Sequence, residues 1–121
     1  MIFSPDFLAY FAHTHRVYAA DPSVYCVSSW NDNGRRGLVG DANRLLRTDF
    51  FIGLGWLASR AIYRAEFERQ WPPTHWDHWM REPQQRKGRV CVYPEVRPGN
   101  RWCTFNLWFP SLSDDQGCLK C

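Results

Sequence analysis

The clearest candidate for chemistry is one carboxylate, Asp77, which follows Trp76 and precedes Trp79 by two residues, with histidines at positions 75 and 78. A carboxylate held against aromatic side chains loses part of its hydration, and this favours a role as a general base. Indole rings also offer wide apolar faces, against which the C–H bonds of a sugar ring can pack. These residue types in this order indicate a site that could bind a sugar and remove a proton from it.

Asp77 also has a purely structural interpretation. Acidic side chains are favoured in the first turn of a helix, and Arg81 lies four residues further on, at the spacing of a helical ion pair. Thr74 is a candidate N-cap for such a helix, and Pro83 ends or bends it. The pattern alone favours this helix start over a catalytic site.

The five cysteines divide into two groups. Cys26 and Cys91 each lie in an apolar, strand-like run, where they could form a disulfide in an oxidising compartment or remain two reduced core thiols. Cys118 and Cys121 have the spacing of half a zinc site, but only Cys103 lies near them in sequence. Because zinc needs four ligands, this pattern does not favour a zinc site.

The elements that position these residues follow from the apolar pattern. Helices are predicted at residues 4–15, 57–69 and 74–81, and buried strands at residues 24–30 and 90–93. Gly53 and Gly55 indicate a stretch of backbone that another group approaches closely, or a turn that opens the second helix. His13 and His15 point in different directions on the first helix, which is typical of surface residues rather than metal ligands.

Composition limits the class of protein. The 121 residues are 45% hydrophobic and carry a net charge of +3, which excludes a disordered chain. No uncharged run approaches the roughly 18 residues of a membrane-spanning helix. The basic residues concentrate at 81–101, but this mild charge without a recognised motif does not favour nucleic-acid binding. Seven Trp, eight Phe and five Tyr are many for one small core. They indicate either aromatic binding faces or a chain that is part of a larger domain.

Four segments in the same order resemble one known family. They are residues 26–34 (CVSSWNDNG), 46–56 (LRTDFFIGLGW), 76–81 (WDHWMR) and 86–95 (RKGRVCVYPE). Together they resemble the alpha-1,3-mannosyl-glycoprotein 2-beta-N-acetylglucosaminyltransferase family, to which the protein O-mannose beta-1,2-N-acetylglucosaminyltransferases are related. The resemblance covers roughly residues 5–97.

The resemblance implies an α/β fold, GT-A-like with a Rossmann-like mixed sheet, that transfers GlcNAc from UDP-GlcNAc to the 2-hydroxyl of a terminal mannose on a glycoprotein. The transfer would be inverting and would use Mn²⁺. Asp77 matches the catalytic base, Leu54 and Trp76 match positions that line the donor sugar pocket, and Cys26 and Cys91 match a disulfide pair. The family implies the Golgi lumen, with membrane attachment only through an anchor outside this chain.

Departures from the family pattern limit what this chain is expected to do alone. The family's Glu-Asp-Asp motif for metal and diphosphate does not precede Pro5-Asp6-Phe7, and the upstream uridine-binding half has no match. We therefore interpret residues 1–101 as part of a glycosyltransferase catalytic domain and residues 102–121 as a divergent tail. The isolated chain is expected to lack transferase activity. The alternative is a glycan-binding module or pseudoenzyme that uses its tryptophans without chemistry.

The same interpretation assigns a role to several aromatic residues. The side chains expected to face a missing half-domain are Phe7, Phe11, Phe50, Phe51 and Trp56. We therefore expect exposed apolar surface and low solubility.

Overall fold

The computed structural model describes residues 7–34, 37–41 and 43–96, and the structural statements below concern these residues. In chain order the elements are helix α1 (Phe7–Ala20), strands β1 (Val24–Ser28), β2 (Leu45–Thr48) and β3 (Trp56–Leu57), helix α2 (Arg60–Ile62) continued by a π-helical turn (Tyr63–Phe67), helices α3 (Trp76–Arg81) and α4 (Pro83–Arg86), and strand β4 (Val90–Pro94).

The four strands form one mixed sheet in the order β2-β4-β1-β3. The central strands β1 and β4 run parallel, and the outer strands β2 and β3 are antiparallel to their neighbours. Strand β1 is buried along its whole length, as a central strand covered on both faces should be. The predicted α/β class is thus confirmed as a mixed sheet with helices.

Two apolar clusters make up the core. One combines side chains of α1 with the sheet residues Val24, Val27 and Val92. The other is built from Tyr25, Cys26, Phe51, Phe67, Met80 and Cys91. Because successive strand residues point to opposite faces, Cys91 and Val92 place the two clusters on opposite sides of β4. Helix α3 therefore packs on the face opposite α1, through the fully buried Met80.

Helix α1 is longer than the sequence predicts. It ends at Ala20 instead of near His15, because Tyr18 continues the buried stripe that begins at Tyr10. The helix stops before Asp21-Pro22, where proline disfavours helical backbone in the residue before it. His15 is exposed, as predicted.

The helix predicted over residues 57–69 is wrong at its start. Trp56 and Leu57 form β3 against the end of β1, where they satisfy backbone groups of that strand. The helix begins at Arg60, after Ser59, whose hydroxyl accepts a hydrogen bond of 3.1 Å from the Ile62 N–H. Strand β2 was not predicted because its sequence, Leu-Leu-Arg-Thr, does not alternate between apolar and polar residues.

Smaller differences concern the region after residue 70. Helix α3 begins at Trp76 with His75 at its cap position, so Thr74 is not the cap. Helix α3 ends at Arg81, before Pro83, as predicted, and Glu82 is extended. Pro83 then opens the short helix α4, since proline is well tolerated in the first turn of a helix. Within the described residues, none of the helices is long and apolar enough to cross a membrane.

Candidate functional site

Helix α3 presents Asp77 in its first turn. His75, the N-cap residue of this helix, has a left-handed φ of 53°. This conformation costs a non-glycine residue roughly 1–2 kcal/mol. The Trp79 N–H donates a hydrogen bond of 3.1 Å to the His75 carbonyl, which closes the first turn. One buried anchor, Met80, fixes the helix on the core and leaves Asp77 at the surface.

Two side chains flank the Asp77 carboxylate. Arg81 Nη1 lies 3.4 Å from Oδ2, and His78 Nε2 lies 4.0 Å from the same oxygen. The Asp77 side chain is 37% exposed, so the aromatic residues desolvate it only in part. The ion pair with Arg81 that the helical spacing predicts is confirmed. Oδ1 makes no hydrogen bond or ion pair with the described residues, so it is open to a hydroxyl from outside.

Trp76 lies in the middle of a stack of three indole rings. Its centroid is 6.0 Å from that of Trp56 and 5.9 Å from that of Trp71, with interplanar angles of 28° and 18°. Trp79 meets Trp71 edge to face at 5.7 Å. Trp76 thus packs among other indole rings, against the buried cluster that contains Phe51 and Met80. Its assignment to the donor sugar pocket stays a prediction.

The loop that carries Leu54 is fastened to the end of β1. Ser28 Oγ donates a hydrogen bond of 2.9 Å to the Leu54 carbonyl. The N–H and hydroxyl of Ser29 donate to the Gly55 carbonyl at 2.7 and 2.9 Å. Gly55 has a φ of +48°, and a Cβ there would collide with Ser29 Oγ. The close approach predicted for this glycine is therefore confirmed, with Ser29 as the approaching group.

Gly53 brings this loop against helix α3. A Cβ built on Gly53 would lie 3.5 Å from Asp77 Cβ and 3.7 Å from the Trp76 ring. The structure thus brings the loop of Leu54 together with both predicted residues of α3. The catalytic role of Asp77 and the pocket role of Leu54 themselves stay predictions.

The cysteine pair lies beneath this site. Cys26 and Cys91 are opposite each other on the parallel strands β1 and β4 and form a disulfide, with a Cα–Cα distance of 4.7 Å. Both residues are fully buried. The disulfide interpretation is confirmed, and the alternative of two reduced thiols is not.

Comparison with known proteins identifies the family. A family model described as the GNT-I family matches residues 1–106. The chain belongs to the GNT-I family. It is 41% identical over 96 residues to an Arabidopsis thaliana protein named alpha-1,3-mannosyl-glycoprotein 2-beta-N-acetylglucosaminyltransferase. This match covers 79% of the chain and 21% of the Arabidopsis protein, so the chain spans about a fifth of that relative.

The described part of this GNT-I family chain does not fit a metal ion. No group of three His, Cys, Asp or Glu side chains in residues 7–34, 37–41 and 43–96 could hold one. The guanidinium of Arg81 lies 3.4 Å from the Asp77 carboxylate and would repel a cation at that point. We assign no step to Mn²⁺ at this site. Cys103, Cys118 and Cys121 lie outside the described residues.

Sequence reasoning missed two residues that shape the site. Ser28 and Ser29 are fully buried and hold the loop of Leu54 and Gly55, although neither was singled out as functional. Two small hydroxyl residues at the end of a buried strand were the available signal. Their targets lie more than twenty residues away along the chain, and no local pattern reports such a contact.

Proposed function

We propose that this chain supplies the catalytic-base part of an inverting beta-1,2-N-acetylglucosaminyltransferase. The transferred group would be GlcNAc from UDP-GlcNAc, and the acceptor the 2-hydroxyl of a terminal α-mannose on a glycoprotein glycan. Membership of the GNT-I family and the name of the Arabidopsis relative support the reaction class. The observation that carries the proposal is the close packing of Gly53 against helix α3, where a Cβ on residue 53 would lie 3.5 Å from Asp77 Cβ and 3.7 Å from the Trp76 ring.

Asp77 would act as the base in a single displacement. Its carboxylate accepts the proton of the mannose 2-hydroxyl while that oxygen bonds to the anomeric carbon of GlcNAc, and the bond from this carbon to the diphosphate breaks with inversion. UDP leaves with the electron pair of the broken bond. The open Oδ1 and the 37% exposure of the side chain allow an acceptor hydroxyl to reach the carboxylate.

The wider setting of the protein is part of the same proposal. The mixed sheet would be the C-terminal portion of a GT-A-like domain, and Mn²⁺ would be held by ligands outside the described residues, where it offsets the charge of the departing diphosphate. A Golgi lumen location agrees with the buried disulfide, because disulfides persist in oxidising compartments.

A chimera tests the role of Asp77. Residues 7–96 would replace the matching region of the Arabidopsis relative, and transfer from UDP-GlcNAc to a mannose-terminated acceptor would be measured. We expect Asp77→Asn to lower kcat by about 10²–10⁴-fold, the range for loss of a general base. Asp49→Asn is the matched control, because Asp49 is 75% exposed and also pairs with an arginine. Full activity of the Asp77→Asn chimera would overturn the assignment.

The isolated chain tests the alternative of a glycan-binding module. We expect no transfer by the 121 residues alone. Mannose-glycan binding that survives Asp77→Asn but is lost in a Trp76→Ala, Trp79→Ala double variant would favour the binding module. Trp76 and Trp79 are partly buried against the core cluster of Phe51, Phe67 and Met80, and this packing role counts against a purely glycan-binding one.

A further inference from the structure

The guanidinium of Arg81 makes three contacts of different kinds. Its Nε donates a hydrogen bond of 3.3 Å to the Phe51 carbonyl, and its central carbon lies 4.5 Å from the centre of the Phe50 ring. Its Nη1 lies 3.4 Å from Asp77 Oδ2. The first two contacts belong to the chain segment that leads into Gly53, and the third belongs to α3. One side chain therefore connects two separate segments of the candidate site.

The chemistry of these contacts is specific to arginine. A guanidinium is planar, donates in fixed directions and stacks on aromatic rings, whereas the ammonium of lysine does none of these in the same way. Phe51 is fully buried, so its carbonyl is a fixed point on the core. Phe50 is 50% exposed, and Arg81 covers part of a ring that would otherwise face water.

We infer that Arg81 is a positioning residue that clamps residues 50–53 to helix α3 and so holds Asp77 at a fixed place beside the loop of Leu54. The inference rests on the proposed function, because it concerns the base and donor-pocket loop named there. Gly53 has no side chain with which to contact Asp77, and even a Cβ there would reach only van der Waals distance, 3.5 Å from Asp77 Cβ. Among the described residues, the rings of Phe51 and Trp76 meet edge to face at 6.0 Å, and Arg81 adds a hydrogen bond to the Phe51 carbonyl that links the two segments.

NMR on the full 121-residue chain tests the clamp without any need for transferase activity. In Arg81→Lys we expect the backbone order parameters of residues 51–53 to fall from a rigid value of about 0.85 towards about 0.6. The lysine can still pair with Asp77, so the side-chain carboxylate ¹³C resonance of Asp77 at pH 7 should move little. In Arg81→Met, both the order parameters of residues 51–53 and the Asp77 carboxylate resonance should change, because Asp77 then also loses its ion-pair partner.

Arg89→Lys is the matched control. Arg89 also contacts a carboxylate (Glu66), backbone carbonyls (Gln85 and Arg86) and an aromatic ring (Tyr25). The Arg89→Lys variant should leave the order parameters of residues 51–53 and the Asp77 carboxylate resonance unchanged. Phe50→Leu, which removes the ring and keeps Arg81, should loosen residues 51–53 to a smaller degree than Arg81→Lys.

Two outcomes would overturn the clamp. One is an unchanged loop in both Arg81 variants, and the other is an equal loosening in Arg89→Lys, which would indicate general destabilisation. The proposed function fails by a different result, namely full transfer by the Asp77→Asn chimera. Loss of the clamp and loss of the base role can therefore be told apart.

Discussion

Glu66 is the acceptor that joins the π-helical turn to the start of β4. Its carboxylate takes two hydrogen bonds from Arg89, at 3.2 and 2.6 Å, and Lys87 Nζ lies 3.2 Å away. The hydrogen bonds from Arg89, with a smaller contribution from Lys87, hold the pKa of Glu66 below its ordinary value. The side chain is 22% exposed, so this pair is more shielded from water than a typical surface ion pair.

Replacing Glu66 with glutamine should lower the free energy of unfolding by about 1.5–3 kcal/mol at pH 7, the range for hydrogen bonds to charged groups. A lowered folded pKa stabilises above the ordinary value of 4.5 and loses that contribution as the pH falls through the folded value. The difference between wild type and Glu66→Gln should therefore shrink below about pH 4.5. Urea unfolding at several pH values measures it.

Glu68→Gln is the control for this series, since the exposed Glu68 side chain makes no ion pair or hydrogen bond with other residues that the structure describes. An equal loss of stability in the two variants would contradict the role of Glu66.

Gly55 lies where the structure leaves no room for a side chain. Alanine there meets two penalties, a left-handed φ of +48° and a collision with Ser29 Oγ. Gly88 has a φ of +73° but open space around it, so Gly88→Ala carries the first penalty alone. We expect Gly55→Ala to be the more destabilising of the two by about 1–3 kcal/mol, the usual cost of overpacking. Equal unfolding midpoints in urea would show that Ser29 moves aside freely.

At the scale of elements, the pairing of β1 with β4 depends on residues far apart in sequence. The disulfide joins cysteines 65 residues apart, and closing a loop of that length should stabilise the fold by about 4 kcal/mol in the chain-entropy treatment. The double variant Cys26→Ala, Cys91→Ala should show a loss of this size in urea unfolding. Reductant should then shift the unfolding midpoint of wild type but not that of the variant. A wild type that is indifferent to reductant would contradict the prediction.

Strongly patterned elements were predictable from the sequence, and elements defined by distant partners were not. The apolar runs around Cys26 and Cys91 predicted the two central strands, since β1 is buried throughout and β4 along most of its length. Strand β3 was not predictable, and its residue Leu57 falls in the predicted helix, because two residues carry no period and only their pairing with β1 makes them a strand.

The candidate site was predicted more completely than its supports. The Trp-Asp pair and the Gly-Leu-Gly loop were found from sequence and are neighbours in space. The Arg81–Asp77 pair was predicted from its four-residue spacing. The hydrogen bonds of Ser28 and Ser29 to the loop and of Arg81 to Phe51 were not, because each joins residues at least 26 positions apart.

At the scale of the whole molecule, the set of aromatic residues that the chain buries differs from the predicted one. Phe11 and Phe51 were expected to face a missing half-domain, and this was wrong, since the chain buries them to 8% and 0% exposure within its own two clusters. Of the same set, Phe50 is exposed as expected, whereas Phe7 and Trp56 are partly buried against the two clusters. Leu8 is 76% exposed, Leu38 68% and Phe50 50%.

Leu8 on α1 gives a test of self-association. Covering an exposed leucine releases about 1.5–3 kcal/mol, so Leu8→Glu should weaken concentration-dependent association by about tenfold or more. Ala12→Glu adds the same charge one turn further along the exposed side of the helix and should have a smaller effect. Sedimentation velocity over a concentration series measures both. An equal effect of the two changes would show that charge, not apolar contact, controls association.

The disulfide between Cys26 and Cys91 closes the intervening chain into a covalent ring. Leu54, Gly55, Trp76, Asp77 and Arg81 all lie between Cys26 and Cys91, inside a closed ring of chain. A protease that cuts this ring once leaves a single molecule of unchanged mass apart from one added water. The two pieces separate only when a reducing agent breaks the disulfide. Because both cysteines are fully buried, reduction requires local unfolding that separates β1 from β4.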